Sequence, residues 1–246
     1  MGMSLLPALT GRRFKGGPVA PTTTVHAIGD VHGRRDLLAP LLRRIARRDA
    51  LAPIVILGDM IDRGPDSAGV LRLLHHWRHD RVICLRGNHE QMMLDFLDAP
   101  QRKAAPWLHN GGTATLASFG VAPPDLELPG EAARAAAELA AALGPMLDWL
   151  RAAPLLWSSG NLVAAHAGLD PDHPPGRQAA QTLLWGHPKF ATLPRRDGLW
   201  VVHGHVVQAA PFVEDGRIAI DTGAWATGRL TAARISDGTV SFTTEG

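Results

Sequence analysis

Tyrosine is absent from this chain, cysteine occurs once, at Cys84, and lysine only at Lys15, Lys103 and Lys189. A single thiol excludes a disulfide framework and a zinc site built on clustered cysteines, and it fits a reducing compartment. With so little titrating between histidine and arginine, a net charge of +2 carries the isoelectric point to 9.2. That value is no nucleic-acid footprint, because the 25 basic residues are scattered and offset by 23 acidic ones. The basic stretch Arg43–Arg48 lies on an apolar-periodic segment and reads as a solvated helix face. No apolar run approaches the roughly 18 residues of a transmembrane helix, so no membrane partner is expected. The short apolar patch Leu5–Leu9 is followed by its basic residues, the wrong order for a secretory signal, and a cytoplasmic protein is expected. At 46% apolar and 20% charged residues, disorder, collagen and coiled coil are excluded, and 246 residues can bury a core without cross-links.

What is present is a repeated punctuation. Short apolar runs end in glycine and polar residues: Val25–Ile28 before Gly29-Asp30, Ile54–Leu57 before Gly58-Asp59, and Val82–Leu85 before Arg86-Gly87-Asn88-His89. Leu162–Ala165 before His166 and Trp200–Val202 before His203-Gly204-His205 repeat it. Such runs read as strands buried on both faces. Asp36–Arg48 and Ser67–Trp77 between them carry apolar residues at helical spacing, with Pro40 near a first turn. The intervals Asp30–Asp59 and Asp59–Asn88 are both 29 residues, the length of a βαβ unit. His75 and His79, accompanied by His76, Arg78 and Asp80, read as a solvated face.

Residues 99–160 differ: prolines break them up and Glu131–Leu143 is alanine-rich, so an inserted helical segment over a sheet edge is expected. Asp215-Gly216 and Asp237-Gly238 signal type I′ hairpins, and the C-terminal part reads as an antiparallel meander. The expected class is α/β (α+β), two mixed sheets packed face to face and flanked by helices. The expected organisation is an N-terminal extension, 1–24, and one catalytic domain, 25–246.

Ligands collect beyond the carboxyl ends of strands in an α/β sheet. The runs deliver Asp30 and His32, Asp59, Asp62 and Arg63, Asn88, His89 and Glu90, His166 and His205 there. This oxygen-and-nitrogen set has more donors than one ion takes and suits two ions sharing a carboxylate, whether manganese, iron or zinc. Two such ions clamp a phosphoryl group and activate a bridging hydroxide. Other phosphoryl chemistry lacks its parts. No lysine precedes Ser or Thr, as a P-loop requires, and Cys84 has no arginine six residues on.

Gly29-Asp30-Val31-His32-Gly33, Gly58-Asp59-Met60-Ile61-Asp62-Arg63-Gly64 and Arg86-Gly87-Asn88-His89-Glu90, followed by His166-Ala167-Gly168 and Gly204-His205, resemble the metal-dependent serine/threonine protein phosphatases of the metallophosphoesterase superfamily, in their bacterial and phage lambda branch. The resemblance implies that Asp30, His32 and Asp59 hold one metal and Asp59, Asn88, His166 and His205 the other. It implies that His89, oriented by Asp62, protonates the leaving alkoxide, and that Arg63, assisted by Arg86, grips the phosphate. The substrate it implies is phosphoserine or phosphothreonine in proteins, or another phosphoester, with no nucleic-acid partner. Nothing in the sequence indicates an oligomeric state.

Three positions depart from the pattern. His187 stands where the branch has arginine after Trp185-Gly186, Val206 stands for a threonine, and no tyrosine is available near the phosphate. His187 is therefore a candidate phosphate contact. A related branch hydrolyses symmetrical dinucleoside tetraphosphates but lacks a carboxylate at the place of Asp62. Glu90, where a cyclic-nucleotide diesterase would have Asp, argues against that activity. A metal-poor phosphopeptide reader is the non-enzymatic alternative, which the full ligand set opposes. Trp107, Asn110, Gly111 and Gly112 read either as a rim of the site or as an ordinary helix terminus. His203 reads as structural, pointing away while its neighbours point in.

Overall fold

A computed structural model describes residues 13–78 and 81–246. The Leu5–Leu9 patch, His79 and Asp80 lie outside the described residues. The first sheet has the order β10 (Thr239–Glu245), β9 (Leu230–Ser236), β1 (Val25–Ile28), β2 (Ile54–Ile56), β3 (Val82–Cys84), and the second β4 (Leu156–Ser159), β5 (Leu162–Ala165), β6 (Trp200–His203), β8 (Arg217–Ala219), β7 (Phe212–Glu214). In the first sheet β1 (Val25–Ile28), β2 (Ile54–Ile56) and β3 (Val82–Cys84) are parallel. They are joined by α1 (Arg35–Arg48) and α2 (Ser67–Trp77), and α3 (Asn88–Asp98) starts directly after β3. β5 (Leu162–Ala165), β6 (Trp200–His203) and β8 (Arg217–Ala219) form the parallel centre of the second sheet.

Side-chain alternation builds three apolar layers from these strands. Val25, Ala27, Val55 and Leu57 meet Leu162, Ala164, Val202 and Ile218 between the sheets. Ile28, Ile54 and Ile56 point the other way, onto Leu38, Leu41 and Leu42 of α1 and Val70, Leu71 and Leu74 of α2. Val163, Ala165 and Val201 pack outward against Leu183 and Phe190. Burial on both faces explains why the strands read as continuous apolar runs.

Five details differ from expectation. Pro40 is the sixth residue of α1, so the helix does without the amide that would bond Asp36. The helical stretch ends with α7 (Pro145–Ala152). It is followed by β4 (Leu156–Ser159), an edge strand whose half-buried side chains carry little apolar signal. The two C-terminal hairpins do not form one meander. β7 (Phe212–Glu214) and β8 join the second sheet, whereas β9 (Leu230–Ser236) and β10 (Thr239–Glu245) join the first, β9 pairing antiparallel with β1. Asp215 and Gly216 both take positive φ, as type I′ requires, but at the second turn only Gly238 does. His75 is half-buried, edge-on to Trp149 at 5.5 Å, instead of solvated.

Between α3 and β4 lie α4 (Pro100–Trp107), a π-turn over Leu108–Gly112, α5 (Thr113–Ser118), α6 (Glu131–Leu143) and α7. Trp107, Leu116, Ala135, Leu139 and Leu150 join the core beneath α2 and α3. Among the described residues the remaining α-helices are α8 (Ala180–Trp185) and α9 (Ala224–Thr227).

Candidate active site

Parallel strands of both sheets end on one edge of the sandwich, and the polar residues beyond their ends converge there. Glycines permit the approach. At Gly58, with φ of 102°, a Cβ would meet Gly87 N at 2.6 Å and His166 Nδ1 at 3.1 Å. Among the described residues six non-glycine residues hold positive φ, and five belong to the convergence: His32, Asp59, Asp62, Arg63 and His205. Backbone strain of this kind persists where surrounding structure imposes it, and it gathers at functional sites.

Asp59 sits at the centre. One group of donor atoms within 4.8 Å of each other is His32, Asp59 and His89; a second is Asp59, His166 and His205. Asn88 Oδ1 lies 2.8 Å from His166 Nε2 and 3.1 Å from His205 Nδ1. Both Asp30 carboxylate oxygens accept the His205 N–H at 3.1 Å, and Oδ1 lies 4.0 Å from His166 Nδ1. All six ligand candidates thus meet at the site, and Asp59 belongs to both donor groups. The first group includes His89 where the resemblance implied Asp30.

The donor chemistry fits metal. His166 Nδ1–H donates to the Leu57 carbonyl at 2.9 Å, which leaves Nε2 a bare lone pair in the neutral ring. That lone pair faces Asn88 Oδ1 at 2.8 Å and Asp59 Oδ1 at 3.5 Å, acceptor against acceptor. His32 repeats the arrangement, its Nδ1–H on the Ile61 carbonyl at 2.8 Å and its Nε2 3.6 Å from Asp59 Oδ2. A cation satisfies such clusters. Burial drives His32 down to about 3 and His205 to about 4, and also lowers His166, so all three are neutral donors. Burial, then Asp221 and Asp59, raises Asp30 well above the carboxylate range, and burial raises Asp221 to about 6. Carboxylates crowded in this way become ionised together only beside positive charge.

His89 behaves oppositely. Burial opposes its protonation, but Asp59 and Asp62 outweigh it and raise its pKa. Its Nδ1 bonds Asp62 Oδ2 at 2.7 Å while Nε2 faces Asp59 Oδ2 at 3.8 Å, so the ring bridges a buried carboxylate and the donor cluster. Arg63 donates to His32 Nε2 at 3.2 Å and lies over the half-exposed Trp225 ring at 5.2 Å. Arg86 is half-buried and its Nε has no hydrogen-bond partner among the described residues. The contacts of His187 are with Asp170, Nε2 to Oδ2 at 3.7 Å, and with the Lys189 N–H at 3.3 Å, outside the donor cluster. His203 is buried, donates to the Gly204 carbonyl and packs against Phe190.

Glu90 is wholly buried and accepts four backbone amides, from Asp59, Met60, Ile61 and Gly87, at 2.7–3.3 Å. It ties the Asp59 loop to the start of α3. Asp221 was missed by sequence reasoning, although Ile218–Ile220 running into Asp221-Thr222-Gly223 repeats the punctuation of the other strands. It was hidden because that run also reads as a hairpin arm. Trp107 is buried and bonds Asp62 rather than forming a rim, whereas Asn110 is half-exposed and bonds the Pro106 carbonyl.

A two-sheet sandwich with an imidazole–carboxylate cluster at its strand ends is the framework of a metallophosphoesterase. Residues 23–209 match the calcineurin-like phosphoesterase family, and the chain belongs to that family. It is 43% identical over 88 residues to "Serine/threonine-protein phosphatase 1" of Salmonella typhimurium, covering 36% of this chain and 38% of that protein. It is 31% identical over 148 residues to "Bis(5'-nucleosyl)-tetraphosphatase, symmetrical" of Pseudomonas fluorescens, covering 59% of this chain and 43% of that one. The matches therefore span about two fifths of these relatives' length. A solved structure described as a putative diadenosine tetraphosphatase shares the fold, with a TM-score of 0.64, 23% identity and coverage of 92% of this chain and 95% of its own.

Proposed function

We propose that this metallophosphoesterase is a phosphomonoesterase for phosphoserine and phosphothreonine in proteins. The observation that carries the reading is the buried His89–Asp62 pair, with Nδ1 on the carboxylate and Nε2 turned toward the cluster. An alkoxide leaves poorly unless it is protonated, and a histidine with raised pKa is suited to supply that proton. A nucleoside polyphosphate leaves as a stabilised anion and needs no such acid.

Asp30, His32 and Asp59 would hold one divalent ion and Asp59, Asn88, His166 and His205 the other, manganese being the first candidate. When bound, such ions polarise the phosphoryl oxygens and lower the pKa of an attacking water. Arg63 orients the phosphate through its planar fork, with the Trp225 ring supporting the guanidinium from one side. His89 holds the proton at Nε2 for the leaving oxygen, and Asp62 stabilises the resulting charge distribution from the far side of the ring.

A second reading is hydrolysis of symmetrical dinucleoside tetraphosphates, which the longer match to the Pseudomonas relative favours. A phosphothreonine peptide, an alkyl phosphate, an activated aryl phosphate and a dinucleoside tetraphosphate assayed side by side separate the two. The expected result is turnover of the peptide well above the tetraphosphate. His89→Gln is expected to slow the alkyl ester about 100-fold or more and the aryl ester far less. Equal losses on both esters would remove His89 from the acid role, and preference for the tetraphosphate would overturn the protein substrate.

A further inference from the structure

The inserted helical segment reaches into the chemistry at Asp62. Asp62 is wholly buried and holds φ of 70°. Its Oδ2 accepts two N–H groups, from His89 Nδ1 at 2.7 Å and from Trp107 Nε1 at 3.0 Å. Its Oδ1 accepts the Thr115 hydroxyl at 2.6 Å. Thr115 Oγ1 in turn accepts the Asp62 N–H at 3.0 Å and lies 3.1 Å from Ser67 Oγ. Each Asp62 oxygen therefore has different, fully assigned partners, and the carboxylate cannot rotate without breaking several bonds at once.

The donors are themselves fixed. The Trp107 ring is wholly buried and stacks on Phe96 of α3, the helix that carries His89, at 4.8 Å between centroids and 26° between planes. A Cβ at Gly112 would meet the Trp107 ring at 2.5 Å, so only glycine lets the next turn close over the indole. Gly111, with φ of 104°, accepts the Arg63 N–H at 3.3 Å and abuts the Arg63 backbone. One short stretch, Trp107–Thr115, thus touches the partner of the general acid and the backbone of the phosphate-binding arginine.

We propose that Trp107 and Thr115 are positioning residues: they hold the Asp62 carboxylate in the one rotation that keeps the His89 Nδ1–H bonded and its Nε2 aimed at the leaving group. The proposal rests on His89 being the general acid. Neither residue touches substrate, so the effect is felt through His89. It follows that the segment 107–115 belongs to the catalytic apparatus and not to a cover over the sheet edge.

The test uses Trp107→Phe, which keeps a ring on Phe96 but removes the N–H, and Thr115→Val, with Thr115→Ser as the conservative partner. Each is assayed with an alkyl phosphate and an activated aryl phosphate, His89→Gln running in parallel. Expected for Trp107→Phe and Thr115→Val is a kcat loss about tenfold greater on the alkyl than on the aryl ester, KM changing little on either. Thr115→Ser, which keeps the hydroxyl, returns the alkyl rate to within about threefold of wild type. Parallel losses on both esters, or failure of Thr115→Ser to rescue, would overturn the positioning role as mere loss of structure. No selective loss in these variants, with His89→Gln still selective, overturns the proposal and spares the acid assignment. An unselective His89→Gln overturns both.

Discussion

Asp59 illustrates how much can depend on a single side chain. It belongs to both donor groups, its Oδ1 accepts the His89 backbone N–H at 3.0 Å, and its own φ is 48°. Replacing one carboxylate oxygen by an amide nitrogen substitutes a donor for an acceptor where two ions would share an anionic ligand. Asp59→Asn is expected to reduce bound metal from about two ions per chain to fewer than one. Elemental analysis of protein purified with manganese reads this directly, and undiminished metal in the variant would refute the shared-ligand role. Asp59 was legible in the sequence because its neighbours Gly58, Asp62, Arg63 and Gly64 lie in one short loop. The role of Glu90 was not, because its four amide partners come from residues 29 to 31 positions away as well as from its own helix start.

At the scale of elements, the loop after β2 and the N-terminus of α3 behave as one piece because Glu90 joins them. Burial raises its pKa to about 7, while the amides of Gly87 and Met60 favour the ionised form. Glu90→Gln keeps the shape but turns one acceptor atom into an NH2 facing backbone N–H groups. The expected cost is about 1–3 kcal/mol, seen as a lower urea midpoint at unchanged slope, together with weaker metal retention. An unchanged midpoint would show that the loop is held by other means. The strands and helices nearest this loop follow the sequence reading closely: α2 spans Ser67–Trp77 and β1 Val25–Ile28 as the apolar periodicity indicates. β4 escaped that reading because a half-exposed edge strand lacks a continuous apolar run. The pairing of β9 with β1 escaped it as well, since a hairpin signal names only its own partner strand.

For the whole molecule, the cluster of buried acids couples metal binding to stability. Without metal, Asp30 lies well above its ordinary range, Asp221 at about 6 and Glu90 at about 7, against unfolded values near 4. In that state these three acids bind more protons folded than unfolded between about pH 4 and 7, so their own contribution to stability falls as pH rises through the window, while the neutral histidines His32, His166 and His205 contribute in the opposite direction below their ordinary value. The acids' contribution is complete below their unfolded values and lost above their folded ones. Metal favours the ionised carboxylates and opposes the loss. The difference in Tm between metal-loaded and chelator-treated protein is therefore expected to widen from pH 5.5 to pH 8, as differential scanning calorimetry would report. A difference independent of pH would mean that these acids do not face the metals. Among the described residues, no helix is long and apolar enough to cross a membrane.

Local signals in the sequence were sufficient for the buried strands, the helices between them and the ligands that follow each strand, because apolar period, glycine and the adjacent polar residue are all read within a few positions. They were sufficient for the family as well, since its three leading motifs each fit within one strand-to-helix turn. Only the tertiary structure decided which sheet each C-terminal hairpin enters, that Asp221 lies beside Asp30, that His187 turns to Asp170, and that Trp107 and Thr115 close on Asp62. These are contacts between residues 17 to 191 positions apart. No period or turn signal encodes such a pairing; it exists only once the two sheets have packed and buried polar groups must find partners across the chain.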